Sequence, residues 1–554
     1  VAAKSLSHCI ALAFTLLLIA ACSSSERPSD TSSPQPITVS GQLRYEDWEY
    51  GPTGYTSNIS WKAIRYAVVD LVDKDGTIVD STFSSASGEY SLTGAGNGLY
   101  VRVLAQTAVG SPMEIAINNY SGNLYSATAN IDDTESNATL NLDITDSDTT
   151  GGVFNMLDVL TTAAQFTQSY SAMTLPPLQV YWQRSTSRYG TYYCVAGMTA
   201  SLCPQGAGMY VAGGFAGGGD IDHYDDDVLW HEFSHYLEDS LNIDDSPGGA
   251  HLLTQNTLDL RLAWSEGWGN YFSIAVKAWL TGSAPELLST TVDTETTQYI
   301  DAVGNLANSD VNIAIDIDNP GLCGVENCYI YSSNEVAVAK VLSQLRQLYG
   351  MQALWDVYES YLTGLNGRFV NLESFWDGFL IQTQPDSGQQ NILESIYNER
   401  EIYYQEDGYE SASDALPNVV REINACATPP CDAEEHFFYR ADGNDDVDVV
   451  AFTAQTGKSY LIETLNLKNG ADTYLFLIDE SGDTLLDGSG NPLENDDRDG
   501  DCGDCINDGL SFSSEIQFTA QADGIYYIKI VTSTEATDGA GRYGTYTLQV
   551  SELD

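Results

Sequence analysis

DDDVLWHEFSHYLEDSL, residues 225–241, is helix-compatible throughout, and Asp225 to Asp227 supply a cap and negative charge at its start. At its centre stand His231, Glu232 and His235 in the order His-Glu-x-x-His. On a helix, positions i and i+4 share a face, so both imidazoles can reach one metal ion. Glu232 projects beside that ion, where it can take a proton from water and pass it to a leaving amine. The chain has only 6 histidines and 2 of them fall in this motif, which argues against chance.

A catalytic zinc needs a third protein ligand and an open position. Glu238 and Leu241 occupy the places where a metzincin would carry its glycine and third histidine, so that continuation fails. Glu266, 31 residues after His235, lies in AWSEGWGNYF, a second helical segment that a loop can return beside the first. HEFSH resembles the zinc helix of the fungalysin family, and SEGWGNYF resembles that family's GEGWSD-type ligand helix. The resemblance implies a gluzincin: Zn2+ held by His231, His235 and Glu266, with Glu232 as general base. It further implies a zincin-like domain hydrolysing peptide bonds of extracellular or surface proteins, as an endopeptidase.

Two positions depart from the family pattern. Asn270 stands where the family has an aspartate behind a zinc histidine; its amide oxygen can accept the same bond without charge. No free histidine follows to stabilise the oxyanion, and YIYSSNEV, residues 329–336, makes Tyr331 the candidate donor, its other reading being a packed aromatic. These departures support a second hypothesis, a surface binding or adhesion lipoprotein whose peptidase domain is catalytically retired. His223 and His251 read as loop residues near the cleft, and Met209 to Gly214 as an edge strand for an extended peptide.

Outward from this centre the pattern gives a multidomain chain. Residues 149–410 mix strands such as Leu178 to Trp182 with helices at Val336 to Leu348, Ala353 to Leu362 and Leu372 to Ile381, an α+β domain. Residues 37–148 alternate with period two and turn at Asp75-Gly76 and Ser87-Gly88, predicting an accessory β-sandwich. Its DKDGTIVDSTFSSASGEYSL resembles a carboxypeptidase-regulatory or transthyretin-like module. A linker, 411–432, leads to a second all-β body, 433–554. The runs GADTYLFLIDESGDTLL and SEIQFTAQADGIYYIKI there resemble the pre-peptidase C-terminal domain, a β-sandwich appended to secreted peptidases.

At the other end, residues 1–21 read as a signal peptide closing on Ile19-Ala20-Ala21-Cys22, which resembles a lipobox. Cys22 would carry the lipid and residues 22–36 form a Ser/Pro-rich tether. The expected location is therefore the bacterial outer membrane or cell surface, with membrane contact only through the lipid. Eight further cysteines fall in four close pairs, Cys194 with Cys203, Cys323 with Cys328, Cys426 with Cys431 and Cys502 with Cys505, suiting disulfides in an oxidising compartment. With 22 basic against 78 acidic residues, general nucleic-acid affinity is excluded, leaving a protein or peptide substrate and a monomer as the expectation. The acidic cluster Asp220, Asp222 and Asp225 to Asp227 reads as capping and solvated, with a structural Ca2+ as the other reading. The acidic stretch Asn495 to Asp508 likewise reads as a solvated loop.

Overall fold

The computed structural model describes residues 35–131, 137–148, 150–186, 190–199, 201–215, 218–287, 296–320, 329–368, 370–405, 421–427, 433–438, 446–497, 512–533 and 543–553. The leader, Cys22, most of the tether and Cys323, Cys328, Cys431, Cys502 and Cys505 lie outside the described residues. Among those described, no helix is long and apolar enough to cross a membrane.

Alternation builds the first strands: β1 (Ile37–Gly51), β2 (Gly54–Ala63), β3 (Ala67–Val72), β4 (Ile78–Phe83), β5 (Glu89–Gly94), β6 (Tyr100–Thr107), β7 (Ile115–Asn118), β8 (Ser126–Asn130), β9 (Asn137–Thr139) and β10 (Leu142–Ile144). In β6, Val101, Val103 and Ala105 are buried while Tyr100, Arg102 and Leu104 between them stay half-exposed. The long β1 pairs antiparallel with β5 through Val39↔Leu92 and, further along, with β2 through Trp48↔Ile59.

The next segment alternates helix and strand: α1 (Gly151–Tyr170), β11 (Leu178–Trp182), β12 (Tyr192–Cys194), β13 (Gly208–Val211), β14 (Gly213–Phe215), β15 (Gly218–Ile221), α2 (Asp226–Ser240) and α3 (Leu260–Ser283). A hairpin of β16 (Gln298–Asn305) and β17 (Asn308–Asp316) follows, then α4 (Glu335–Tyr349), α5 (Met351–Asp356), α6 (Leu372–Thr383) and α7 (Ser387–Asn398).

No structural break occurs at residue 148. One sheet runs β12-β13-β11-β7-β6-β3-β4, with β11 parallel to β7 through Val180↔Ile117 and to β13 through Val180↔Met209. Val69, Val103 and Ile117 share one apolar core with Phe154, Trp268 and Leu342. Alternation identifies strands but not their neighbours, so the predicted separate sandwich is here one flank of a larger body. The helix α1 is buried almost all round, as befits an element covered by sheet on one side and helices on the other. Its one buried carboxylate, Asp158, is satisfied by Arg65 and by the Tyr45 hydroxyl, which donates at 3.0 Å.

The last strands are β18 (Arg421–Glu422), β19 (Ala433–Phe438), β20 (Val447–Ala454), β21 (Ser459–Lys468), β22 (Thr473–Ile478), β23 (Glu494–Asn495), β24 (Glu515–Thr519), β25 (Gly524–Thr532) and β26 (Gly544–Leu553). They form two sheets, β18-β20-β25-β22-β23 and β19-β26-β21-β24, closed over their own core of Phe452, Ile462, Leu475, Ile528 and Leu548. This β-sandwich docks on the helical body through Asn469. Its amide oxygen accepts from the Ser332 backbone at 2.8 Å and its amide nitrogen donates to the Glu401 carbonyl at 2.8 Å.

Candidate metal centre

Helix α2 presents His231 and His235 on one face, and α3 brings Glu266 against them. His231 Nε2 lies 3.1 Å from both His235 Nε2 and Glu266 Oε2, and His235 Nε2 lies 3.8 Å from the same carboxylate oxygen. The approach depends on two glycines of the SEGWGN stretch. A Cβ on Gly269 would sit 2.7 Å from the His231 ring, and one on Gly267 would sit 2.6 Å from Val338 of α4. A side chain at Gly269 would displace the His231 ring, and one at Gly267 would press on the Glu335 backbone of α4.

The donor atoms are oriented from behind. His231 Nδ1 lies 3.1 Å from Asn270 Oδ1, an acceptor, so Nδ1 carries the proton and Nε2 keeps its lone pair toward the centre. The Asn270 amide nitrogen donates to Glu335 Oε2 at 3.0 Å, which fixes its own orientation. His235 Nδ1 faces Ser265 Oγ at 3.1 Å and Glu238 Oε2 at 3.5 Å, and Ser265 donates to Glu238 at 2.5 Å. His231 Nε2 stands 3.1 Å from a carboxylate oxygen, close enough for the two to share one bound cation. Two imidazoles and one carboxylate match the donor set that zinc prefers.

Glu232 follows His231 on the same helix and is 8% exposed, with no hydrogen-bond partner at Oε2. Burial pushes its carboxyl above the usual range, partly offset by His235 and His231. It stands where two cavities meet. One, of 510 Å³, is lined by Asp220, Asp222, Tyr299, Asp301 and Asn312. The other, of 620 Å³, is lined by Tyr192, Val195, Met198, Leu202 and Pro247. Glu232, Glu266 and His251 border both. The Cys194–Cys203 disulfide is formed and Cys194 lies in the wall of the apolar cavity; Cys426 is disulfide-bonded too.

Several expectations need correction. Tyr331 does not line the cleft: its ring lies 5.5 Å from Lys468 Nζ, its hydroxyl interacts with Glu401, and burial pushes it up to about 12. The residue that faces the centre is His251, on the loop after α2, with Nε2 3.4 Å from Glu266 and 3.8 Å from Glu335. No spacing rule marks it, because a loop return brings it there. His223 is buried against Trp182 and Tyr224 away from the cleft, and burial pushes it down to about 4. Of the expected edge strand Met209 to Gly214, the part in β13 is paired on both sides, β12 being the edge of that sheet, while Gly213 and Gly214 belong to β14, the outer strand of the four-stranded sheet.

The acidic cluster is not solvated. Asp222, Asp225, Asp226 and Asp227 are all at most 3% exposed. Asp227 pairs with the equally buried Lys277 at 2.7 Å and accepts from the Ile300 backbone at 3.0 Å, while Asp225 accepts from Ala302 at 2.6 Å. These aspartates tie α2 to β16 rather than capping into water. In the C-terminal sandwich, Asp472, Asp496 and Asp497 bring donor oxygens within 4.8 Å of one another; residues 498–508 of the acidic stretch lie outside the described residues.

No family model matches the chain, and no curated protein matches it. Solved structures align to about a quarter of it. The pre-peptidase C-terminal domain of a Bacillus anthracis collagenase is 19% identical, covering 24% of this chain and 97% of that one, with a TM-score of 0.16. The surface-associated copper-binding protein CorA of Methylomicrobium album BG8 is 12% identical, covering 24% and 100%, with a TM-score of 0.16. The g-type lysozyme inhibitor PliG of Aeromonas hydrophila is 12% identical, covering 24% and 97%, with a TM-score of 0.14. At these TM-scores the likenesses carry no argument about fold or function.

Proposed function

We propose that the chain is a zinc-dependent metallopeptidase of gluzincin type, an exported lipoprotein acting on extracellular or surface protein. The observation that carries the reading is the convergence of His231, His235 and Glu266 beside the buried, half-partnered carboxylate of Glu232, in a cleft open on two sides. When bound, zinc supplies a Lewis acid that polarises the scissile carbonyl and acidifies water.

The chain's own residues supply the rest. Glu232 takes the proton of the attacking water and delivers it to the leaving amine, a role that its raised affinity for a proton suits. His251 faces the cleft and donates to the carbonyl oxygen as it gains charge, the part first assigned to Tyr331. An extended peptide fits along the edge strand β12, whose Tyr192, Tyr193 and Cys194 line the apolar cavity. Its remaining side would lie in the acidic cavity.

The test is hydrolysis of unfolded casein or gelatin by the chain from Ser23. Wild type should cleave, and Glu232→Gln should bind zinc yet lose about a hundredfold or more in rate. One tightly bound zinc with no cleavage by wild type would instead favour a catalytically retired binding protein.

A further inference from the structure

Beside the zinc cleft, three carboxylates meet without a positive partner. Asp220 on β15, Asp222 just after it and Asp301 on β16 bring one oxygen each within 4.8 Å of the others. Asp222 is 2% exposed, and Oδ1 of each of the three is buried with no hydrogen-bond partner. Their other contacts are neutral: Asp222 accepts from the Thr191 hydroxyl, and Asp220 from the Asn312 amide at 3.5 Å. The neighbouring Asp226 and Asp227 differ, having Lys62 at 3.9 Å and Lys277 at 2.7 Å. No lysine or arginine among the described residues pairs with the triad.

Three like charges in a buried corner repel strongly and need neutralising. The backbone offers little compensation, because β15 and β16 are joined by the single pair Asp220↔Val303. We propose that Asp220, Asp222 and Asp301 form a calcium site that fastens β15 to β16 and so builds the acidic wall of the cleft. The donors are all hard oxygens, which favour calcium over zinc, and the adjoining cavity gives water access to complete a shell of six to eight ligands. Burial and the nearby Asp220 also push the Asp301 carboxyl up to about 7, the same conflict relieved by a proton instead of a cation.

The site is tested on the full soluble chain, stripped with chelator and titrated with calcium chloride by calorimetry and thermal melting. Wild type should bind a calcium that Asp222→Asn and Asp301→Asn each lose, and saturating calcium should raise its melting midpoint by about 5 °C. Without calcium, both variants should melt at or above wild type, because each removes repulsion; a purely structural carboxylate would give the opposite sign. The calcium response should persist in His235→Ala, which separates this site from the zinc centre. A wild type indifferent to calcium at millimolar concentration, or a shift undiminished in both variants, would overturn the assignment.

Discussion

His231 can offer Nε2 to a metal only while Nδ1 holds the ring proton, and Asn270 Oδ1 at 3.1 Å is the acceptor that keeps it there. Asn270→Leu should therefore weaken zinc binding by about 10- to 100-fold, read by competition with a chromophoric chelator, while Asn270→Asp should bind at least as tightly as wild type. Equal affinities for all three chains would mean that the contact has no bearing on the metal. Lys277 makes a second residue-scale claim. It and Asp227 are fully buried, so Lys277→Met strands a charge and should cost about 3 to 5 kcal/mol in urea unfolding, whereas Lys277→Met with Asp227→Asn should recover part of the loss. At this scale the sequence was informative where chemistry follows local spacing. His231, Glu232 and His235 were legible from helical spacing, and Glu266 and Asn270 from the resemblance of SEGWGNYF to a ligand helix. Asp301 was not, and His251 was read only as a loop residue near the cleft, since each reaches its place through a loop or hairpin whose path no local pattern encodes.

Elements were legible in kind and hidden in partnership. The predicted helix at Val336 to Leu348 matches α4, Glu335–Tyr349, capped by Asn334 accepting from Ala337 at 2.9 Å. Strand Leu178 to Trp182 was placed to the residue, yet β13 sits inside the sheet where an edge was expected. Apolar runs report burial, and a strand paired on both sides reads much like an edge covered by helices. One element carries a pH signature. His436 on β19 is fully buried, stacked on Tyr546 at 5.0 Å, with Asp448 at 3.9 Å, Glu434 at 4.0 Å and Arg421 nearby. Burial, with Arg421 adding to it, outweighs the two carboxylates and pushes His436 down to about 3. Its folded affinity for a proton lies below the unfolded one, so its contribution is complete above about pH 6.5 and is lost as the pH falls. Melting of the C-terminal sandwich should weaken by about 1 to 2 kcal/mol between pH 6.5 and 5, and His436→Leu should flatten that slope. An unchanged slope in the variant would assign the acid sensitivity elsewhere.

Across the whole molecule, the N-terminal strands and the helical body form one piece around a common core, and the last strands form a sandwich of their own. Composition and turn spacing revealed the second of these arrangements because its strands pair among themselves. They could not reveal the first, where β7 and β11 join across more than fifty residues of chain. The consequence is functional: the sheet that began as an apparent accessory ends at β12, the strand beside Glu232. The central claim is that peptide hydrolysis follows occupancy of one zinc site. It is tested most directly by stripping the chain with chelator and measuring casein cleavage during zinc titration. The rate should rise from background and level off at one zinc per chain. Full activity in the stripped chain, or no activity at full occupancy, would contradict it.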